Sequence, residues 1–144
     1  MIFWITGQSG AGKTTLSNWM KSELDTHAVT IDGDELRDVF GNKDYSEAGR
    51  KKNVELAQNI SKFLNSKYNS VIVSVIAPFR EQREEFKKVM GNDIVEIFVC
   101  CDEIRSPHTT TYEEPQHDFI LINTNNKNDY EKVRTLYREM ADMA

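Results

Sequence analysis

Residues 7–14 read Gly7-Gln8-Ser9-Gly10-Ala11-Gly12-Lys13-Thr14, and they fill every fixed position of the pattern GxxxxGK[ST]. Directly before them stands Ile2-Phe3-Trp4-Ile5-Thr6, a short apolar run rich in β-forming residues, as in a buried strand. Directly after, Leu16, Trp19, Met20 and Leu24 recur at helical spacing. Strand, glycine-rich turn and helix together supply the context that the pattern requires. The glycines let the backbone wrap so that several N–H groups point at one anion. The helix N-terminus adds partial positive charge. In such a loop Lys13 reaches the β- and γ-phosphates and the Thr14 hydroxyl ligates Mg²⁺. Gly7, Ser9, Gly10, Ala11, Gly12, Lys13, Thr14 and Thr15 are therefore the expected nucleotide-binding residues, with ATP and Mg²⁺ as cofactors.

Working outward, strand and helix patterns alternate. Strands are expected over 2–6, 28–31, 71–76, 94–101 and 119–123, and helices over 13–24, 35–40, 46 to about 67, 80–90 and 129–143. The expected inward stripes are Leu56, Ala57, Ile60, Phe63 and Leu64; then Phe86, Val89 and Met90; then Val133, Leu136, Tyr137 and Met140. Alternating βα units imply a five-stranded parallel sheet flanked by helices, the three-layer α/β architecture of P-loop NTPases, in a single domain over 1–144. Right-handed crossovers place the strand C-termini, and hence the ligands, along one edge.

Composition narrows the function. The net charge is −5, and a protein holding nucleic acid by its whole surface is usually basic; only a local basic patch, Arg50-Lys51-Lys52, is left for DNA contact. No apolar run is long enough to span a bilayer. No basic segment precedes the first apolar one, so a cytoplasmic protein without membrane attachment is expected. Cys100 and Cys101 are adjacent and lack any metal-ligand spacing, reading as two reduced cysteines ending a buried strand. His27, His108 and His117 have no partner spacing and read as surface residues.

After the second strand, Asp32-Gly33-Asp34 places two carboxylates across one glycine. Transfer to an alcohol needs a group to receive or orient the hydroxyl proton, and often a carboxylate in the metal's shell. Asp34 is assigned the first task, Asp32 the second, and Lys13 completes the catalytic set. Arg37, one helical turn on, can clamp an anionic acceptor. The plainer alternative is an Asp N-cap on a short helix. The third strand leads to Ala77-Pro78 with no carboxylate before Glu81, which argues against a motor-type ATPase. Retention of Lys13, Thr14, Asp32 and Asp34 argues against a purely structural nucleotide binder.

Four segments in this order resemble the adenylyl-sulfate kinases, which carry GxSGxGK, DGDxxR, FSxxDRxxN and a strand-ending ISPxRxxR. They are the phosphate loop; Asp32-Gly33-Asp34 with Arg37; Tyr45-Ser46-Glu47-Ala48-Gly49-Arg50 with Asn53; and Ile76-Ala77-Pro78-Phe79-Arg80 with Arg83. Tyr112-Glu113-Glu114-Pro115 resembles that family's PYExP. The resemblance implies a nucleotide acceptor stacked on Tyr45 and gripped by Arg37, Arg50 and Asn53, with Pro78, Phe79 and Arg80 alongside. Arg83 and Lys87 are expected on a solvated helix face.

The chain departs from the family at Gly49, where the motif has Asp, and at Ala77, where it has Ser. It also has only 101–111 where the family carries a long basic lid, with Arg105 as the sole Lys or Arg there. A shortened lid opens the acceptor site to something larger. Short proteins of this pattern are similar to phage kinases acting on hydroxymethyl-pyrimidines in DNA, which would place the chain in host cytoplasm. The oligomeric state is not legible; a homodimer is one option. Lys13→Ala is expected to abolish ATP binding in equilibrium titration; retained affinity would remove the loop from its assigned role.

Overall fold

The computed structural model describes residues 1–102 and 112–143. Arg105, His108 and most of the shortened lid segment lie outside the described residues. Five strands, β1 (Ile2–Thr6), β2 (Val29–Asp32), β3 (Val71–Ser74), β4 (Ile94–Cys100) and β5 (Phe119–Asn123), form one sheet in the order β2-β3-β1-β4-β5. Every neighbouring pair is parallel. The helices are α1 (Lys13–Glu23), α2 (Gly33–Phe40), α3 (Glu47–Asn65), α4 (Arg80–Met90) and α5 (Tyr130–Met143). A 3-10 turn over Lys127–Asp129 leads into the last of them.

Strand β1, apolar from Ile2 to Ile5 and buried throughout, is central because both of its faces are covered. Phe3 and Ile5 join a core with Leu16 and Met20 of α1 and Val133 of α5. Ile2 and Trp4 point the other way, into a core with Val54 and Ala57 of α3 and Phe86 of α4. Helices on both faces of a parallel sheet make three layers, as expected.

Several boundaries moved for local reasons. The carboxylate Oδ1 of Asp32 accepts the backbone N–H groups of Asp34 (2.9 Å) and Glu35 (3.2 Å), so α2 starts at Gly33 rather than 35. The plainer N-cap reading of Asp32 thus holds. Strand β3 stops at Ser74 because its partner β2 ends opposite it at Asp32. Cys100 and Cys101 take part in no disulfide and are half-buried rather than fully buried.

Two inward stripes need correction. Phe63 is 61 % exposed. The face that α3 turns to the sheet carries Asn53, Val54, Ala57, Gln58 and Ser61, whose short members let the helix approach closely. Val89 is 64 % exposed, because α4 presents Arg83 and Phe86 inward instead. Arg83, expected in solvent, is 2 % exposed. Its Nε donates to Glu96 Oε2 at 3.0 Å, and Lys87 Nζ reaches Glu96 Oε1 at 2.9 Å. The reason is Glu96 itself: β4 turns this carboxylate into the layer under α4, and a buried carboxylate requires cations against it.

The fully buried Leu16 and the exposed Phe63 separate packing from pattern. Leu16→Ala should lower stability by about 2–5 kcal/mol, and Phe63→Ser should change it by no more than about 0.5 kcal/mol. Urea denaturation of both variants checks the pair; an equal loss in each would mean that the helices are placed wrongly.

Candidate active site

The C-terminal ends of β1, β2 and β3 open into one cleft of about 300 Å³. Its floor is the loop between β1 and α1. Gly12 has φ +103°, a left-handed value, and a Cβ there would lie 2.6 Å from Thr124 Oγ1. A Cβ on Gly7 would lie 2.6 Å from the Val99 carbonyl oxygen. The glycines are thus needed for close approach to β4 and β5 as well as for wrapping. Thr124 follows β5, and its hydroxyl lies 2.7 Å from the Ala11 carbonyl and 3.1 Å from that of Cys100. Cys101 Sγ approaches the Gly10 carbonyl at 3.7 Å. Sequence reasoning missed Thr124. The only signal was its place just past the fifth strand, on the ligand edge.

Ser9, Gly10, Gly12, Lys13, Thr14 and Thr15 line the cleft; Gly7 and Ala11 shape the loop from beneath. Lys13 Nζ donates to the loop's own Gly7 and Gln8 carbonyls, at 3.1 and 2.8 Å. Burial pushes this ammonium from its ordinary 10.5 down to about 8, against the opposing pull of the Asp34 and then the Asp32 carboxylate. Thr14 and Asp32 bring a hydroxyl and a carboxylate to the same cleft, the hard oxygen donors that Mg²⁺ takes. Among the described residues no group of three or more His, Cys, Asp or Glu forms a ready-made metal cage. Such a cage is not needed, because Mg²⁺ at nucleotide sites takes one or two protein oxygens plus phosphates and waters.

The opposite wall gathers Asp34, Arg37, Tyr45, Arg50 and Asn53, with Ile76, Ala77 and Pro78. Arg37 lies over the Tyr45 ring with its guanidinium carbon 4.3 Å from the centroid, and its Nη1 donates to the Asn42 and Asp44 carbonyls. Arg50 Nε donates to the Tyr45 carbonyl at 2.8 Å. These bonds hold Tyr45 at the cleft mouth, where it remains 61 % exposed. Asn53 is 5 % exposed; its Nδ2 donates to the Gly33 carbonyl at 3.3 Å, while its buried Oδ1 has no hydrogen-bond partner among the described residues.

Phe79 and Arg80 do not join this wall. Lys51 sits over the Phe79 ring, and Arg80 Nε donates to the Glu114 carbonyl, so the segment after residue 111 holds Arg80 instead. Gly49 also has a structural reason. A Cβ there would come within 2.2 Å of the Asp44 carbonyl oxygen, so the loop carrying Tyr45 closes onto α3 only where this helix lacks a side chain.

A family model described as adenylylsulphate kinase matches residues 1–123. The chain belongs to the adenylylsulphate kinase family. It is accordingly an ATP-dependent phosphotransferase with a hydroxyl acceptor, using ATP with Mg²⁺. It is 29 % identical over 167 residues to the adenylyl-sulfate kinase of Oceanobacillus iheyensis, covering 98 % of this chain and 84 % of that one. It is 27 % identical over 164 residues to the cytidine diphosphoramidate kinase of Campylobacter jejuni, covering 97 % and 96 %. Both alignments are longer than this family member's 144 residues, so each relative carries residues that it lacks. The Mycobacterium tuberculosis APS kinase in complex with AMPPNP and APS superposes with a TM-score of 0.74 at 20 % identity, over 98 % of this chain and 95 % of that one, a likeness of fold. Among the described residues of this kinase no helix is long and apolar enough to cross a membrane.

The lowered Lys13 value fixes a pH dependence. A bound polyphosphate favours the charged amine, whereas the free site begins to lose its proton near about 8. Nucleotide binding therefore takes up a proton above that pH, and ATP affinity should fall as pH rises from about 8 toward 10.5. Calorimetric titration across this range checks the sign; affinity that stays level or improves would contradict it.

Proposed function

We propose that the kinase transfers the γ-phosphoryl group of ATP to a hydroxyl of a nucleotide-like acceptor whose base rests on Tyr45. One observation carries this reading: the phosphate loop and the residues Asp34, Arg37, Tyr45, Arg50 and Asn53 line one and the same cleft. Bringing a phosphoryl donor and an acceptor together in line is the main catalytic task in such transfers.

In this reading Gly10, Gly12 and the start of α1 cradle the polyphosphate through backbone N–H groups. Lys13 leaves the Gly7 and Gln8 carbonyls for the β- and γ-phosphate oxygens. Asp34, exposed in the cleft, receives the acceptor hydroxyl proton as that oxygen bonds to the γ-phosphorus and the bond to the β-phosphate oxygen breaks, releasing ADP. Thr14 and the carboxylate of Asp32 would hold Mg²⁺, which would supply positive charge against the transferring group. Tyr45 supplies a stacking face worth about 1–3 kcal/mol per base. Arg37 stiffens that face, and Arg50 and Asn53 meet the polar groups of the acceptor.

Adenylyl sulfate leads among acceptors, supported by the family match and the intact acceptor wall. The Campylobacter relative's name makes cytidine diphosphoramidate a second nucleotide to offer. A hydroxymethyl group of 5-hydroxymethyluracil in DNA is the alternative, favoured by the exposure of Tyr45 beside Arg50 and Lys51.

Incubation with γ-labelled ATP and each acceptor in parallel tests the assignment, and label should appear in one nucleotide-type product. Asp34→Asn should lower kcat by about 10²-fold or more with ATP affinity unchanged. Full turnover in that variant removes Asp34 as the base, and absence of transfer to every acceptor by the wild type removes the reading.

A further inference from the structure

Ala77 lines the acceptor wall with φ +46°, a left-handed value that is costly for a residue with a Cβ, and it precedes a proline. Such a conformation persists only where the surroundings over-determine it. Those surroundings centre on Arg83. Its guanidinium donates to the Ala77 carbonyl and to the Glu113 carbonyl, pairs with Glu96, and lies 5.1 Å from the centre of the Tyr112 ring. Glu113 continues the tie: its N–H donates to the Pro78 carbonyl at 2.9 Å, and its Oε1 accepts the Arg80 N–H that opens α4.

Tyr112 closes the loop of contacts. Its hydroxyl lies 2.9 Å from Thr6 Oγ1, and that hydroxyl donates to the Ile76 carbonyl at 2.8 Å. Thr6 is the last residue of β1, directly before the phosphate loop. One set of bonds therefore joins the root of the nucleotide loop to residues 76–78 of the acceptor wall, and Arg83 is its most connected member.

We propose that Arg83 is a positioning residue for the acceptor: with Glu96, Tyr112 and Glu113 it fixes residues 76–78 of the cleft wall relative to the phosphate loop. It touches neither substrate. Its influence runs through the Ala77 carbonyl. The nucleotide loop is separately held by Thr124, so loosening Arg83 disturbs one substrate's side only. This inference rests on the acceptor wall assigned under the proposed function.

Two variants test it. Arg83→Lys keeps a cation beside Glu96 but cannot span Glu96, Ala77 and Glu113 together. Tyr112→Phe removes only the phenol link and leaves the buried pair in place. With whichever acceptor the wild type uses, Arg83→Lys should raise acceptor KM about tenfold while ATP KM stays within about twofold. Tyr112→Phe should show the same split at smaller size.

Amide hydrogen exchange supplies a readout that needs no acceptor and covers a lysine variant with altered folding. Residues 75–79 should exchange faster in both variants, with residues 7–15 unchanged. A purely structural role predicts that both KM values and both segments move together, and that result overturns the proposal. So does a wild-type pattern in Tyr112→Phe together with an unsplit response in Arg83→Lys. Should the wild type phosphorylate no acceptor offered, the functional reading alone fails, and the exchange comparison still decides Arg83.

Discussion

Parallel hydrogen bonding of β1 to both β3 and β4 is the constraint from which the active cleft follows. Because all five strands run one way, the turn after β1, the Asp32–Asp34 corner after β2 and the Ile76–Pro78 turn after β3 emerge on the same edge. No side chain has to reach far. The sheet sets the spacing, and the loops add chemistry to an already ordered rim.

The two sides of the cleft are secured by different means. On the nucleotide side, glycines at 7 and 12 let the loop lie directly against Val99 and Thr124, and a hydroxyl from beyond β5 holds the backbone in place. On the side of Ala77 and Pro78 the backbone is tied instead to a buried ionic cluster, through the Arg83 donation to the Ala77 carbonyl. Arg83, Lys87 and Glu96 sit between α4 and β4, where a lone carboxylate would be untenable. Lys87 also reaches the carbonyls of His117 and Asp118, so the cluster anchors the chain's return from the lid position to β5. Removing one partner of such a cluster strands a buried charge, which makes it a determinant of geometry more than a source of net stability.

The fold was legible because its signals are local and repeat. Apolar runs of strand length, a glycine-rich turn and helical stripes each need only neighbouring residues to be read. The nucleotide loop was legible for the same reason. What sequence reasoning could not see depends on pairs distant along the chain. Arg83 looks solvated until Glu96 is turned beneath it by β4. Thr124 looks ordinary until β5 brings it to Gly12. Phe63 and Val89 misled because helical periodicity gives a stripe but not the rotation at which a helix docks, and Ala57 and Ser61 set that rotation for α3. Gly49 shows the converse, a departure from the family motif whose reason lies in the nearby Asp44 backbone.

Lys13 rests against the carbonyls of its own loop. Its ammonium is already solvated by protein before any nucleotide arrives, so binding exchanges one set of oxygens for another. The strength of the grip is then a difference between two solvated states, smaller than the contacts with phosphate alone would suggest. The same arrangement gives the loop an internal counterpart for its lysine, tying the side chain back onto the backbone turn that precedes it.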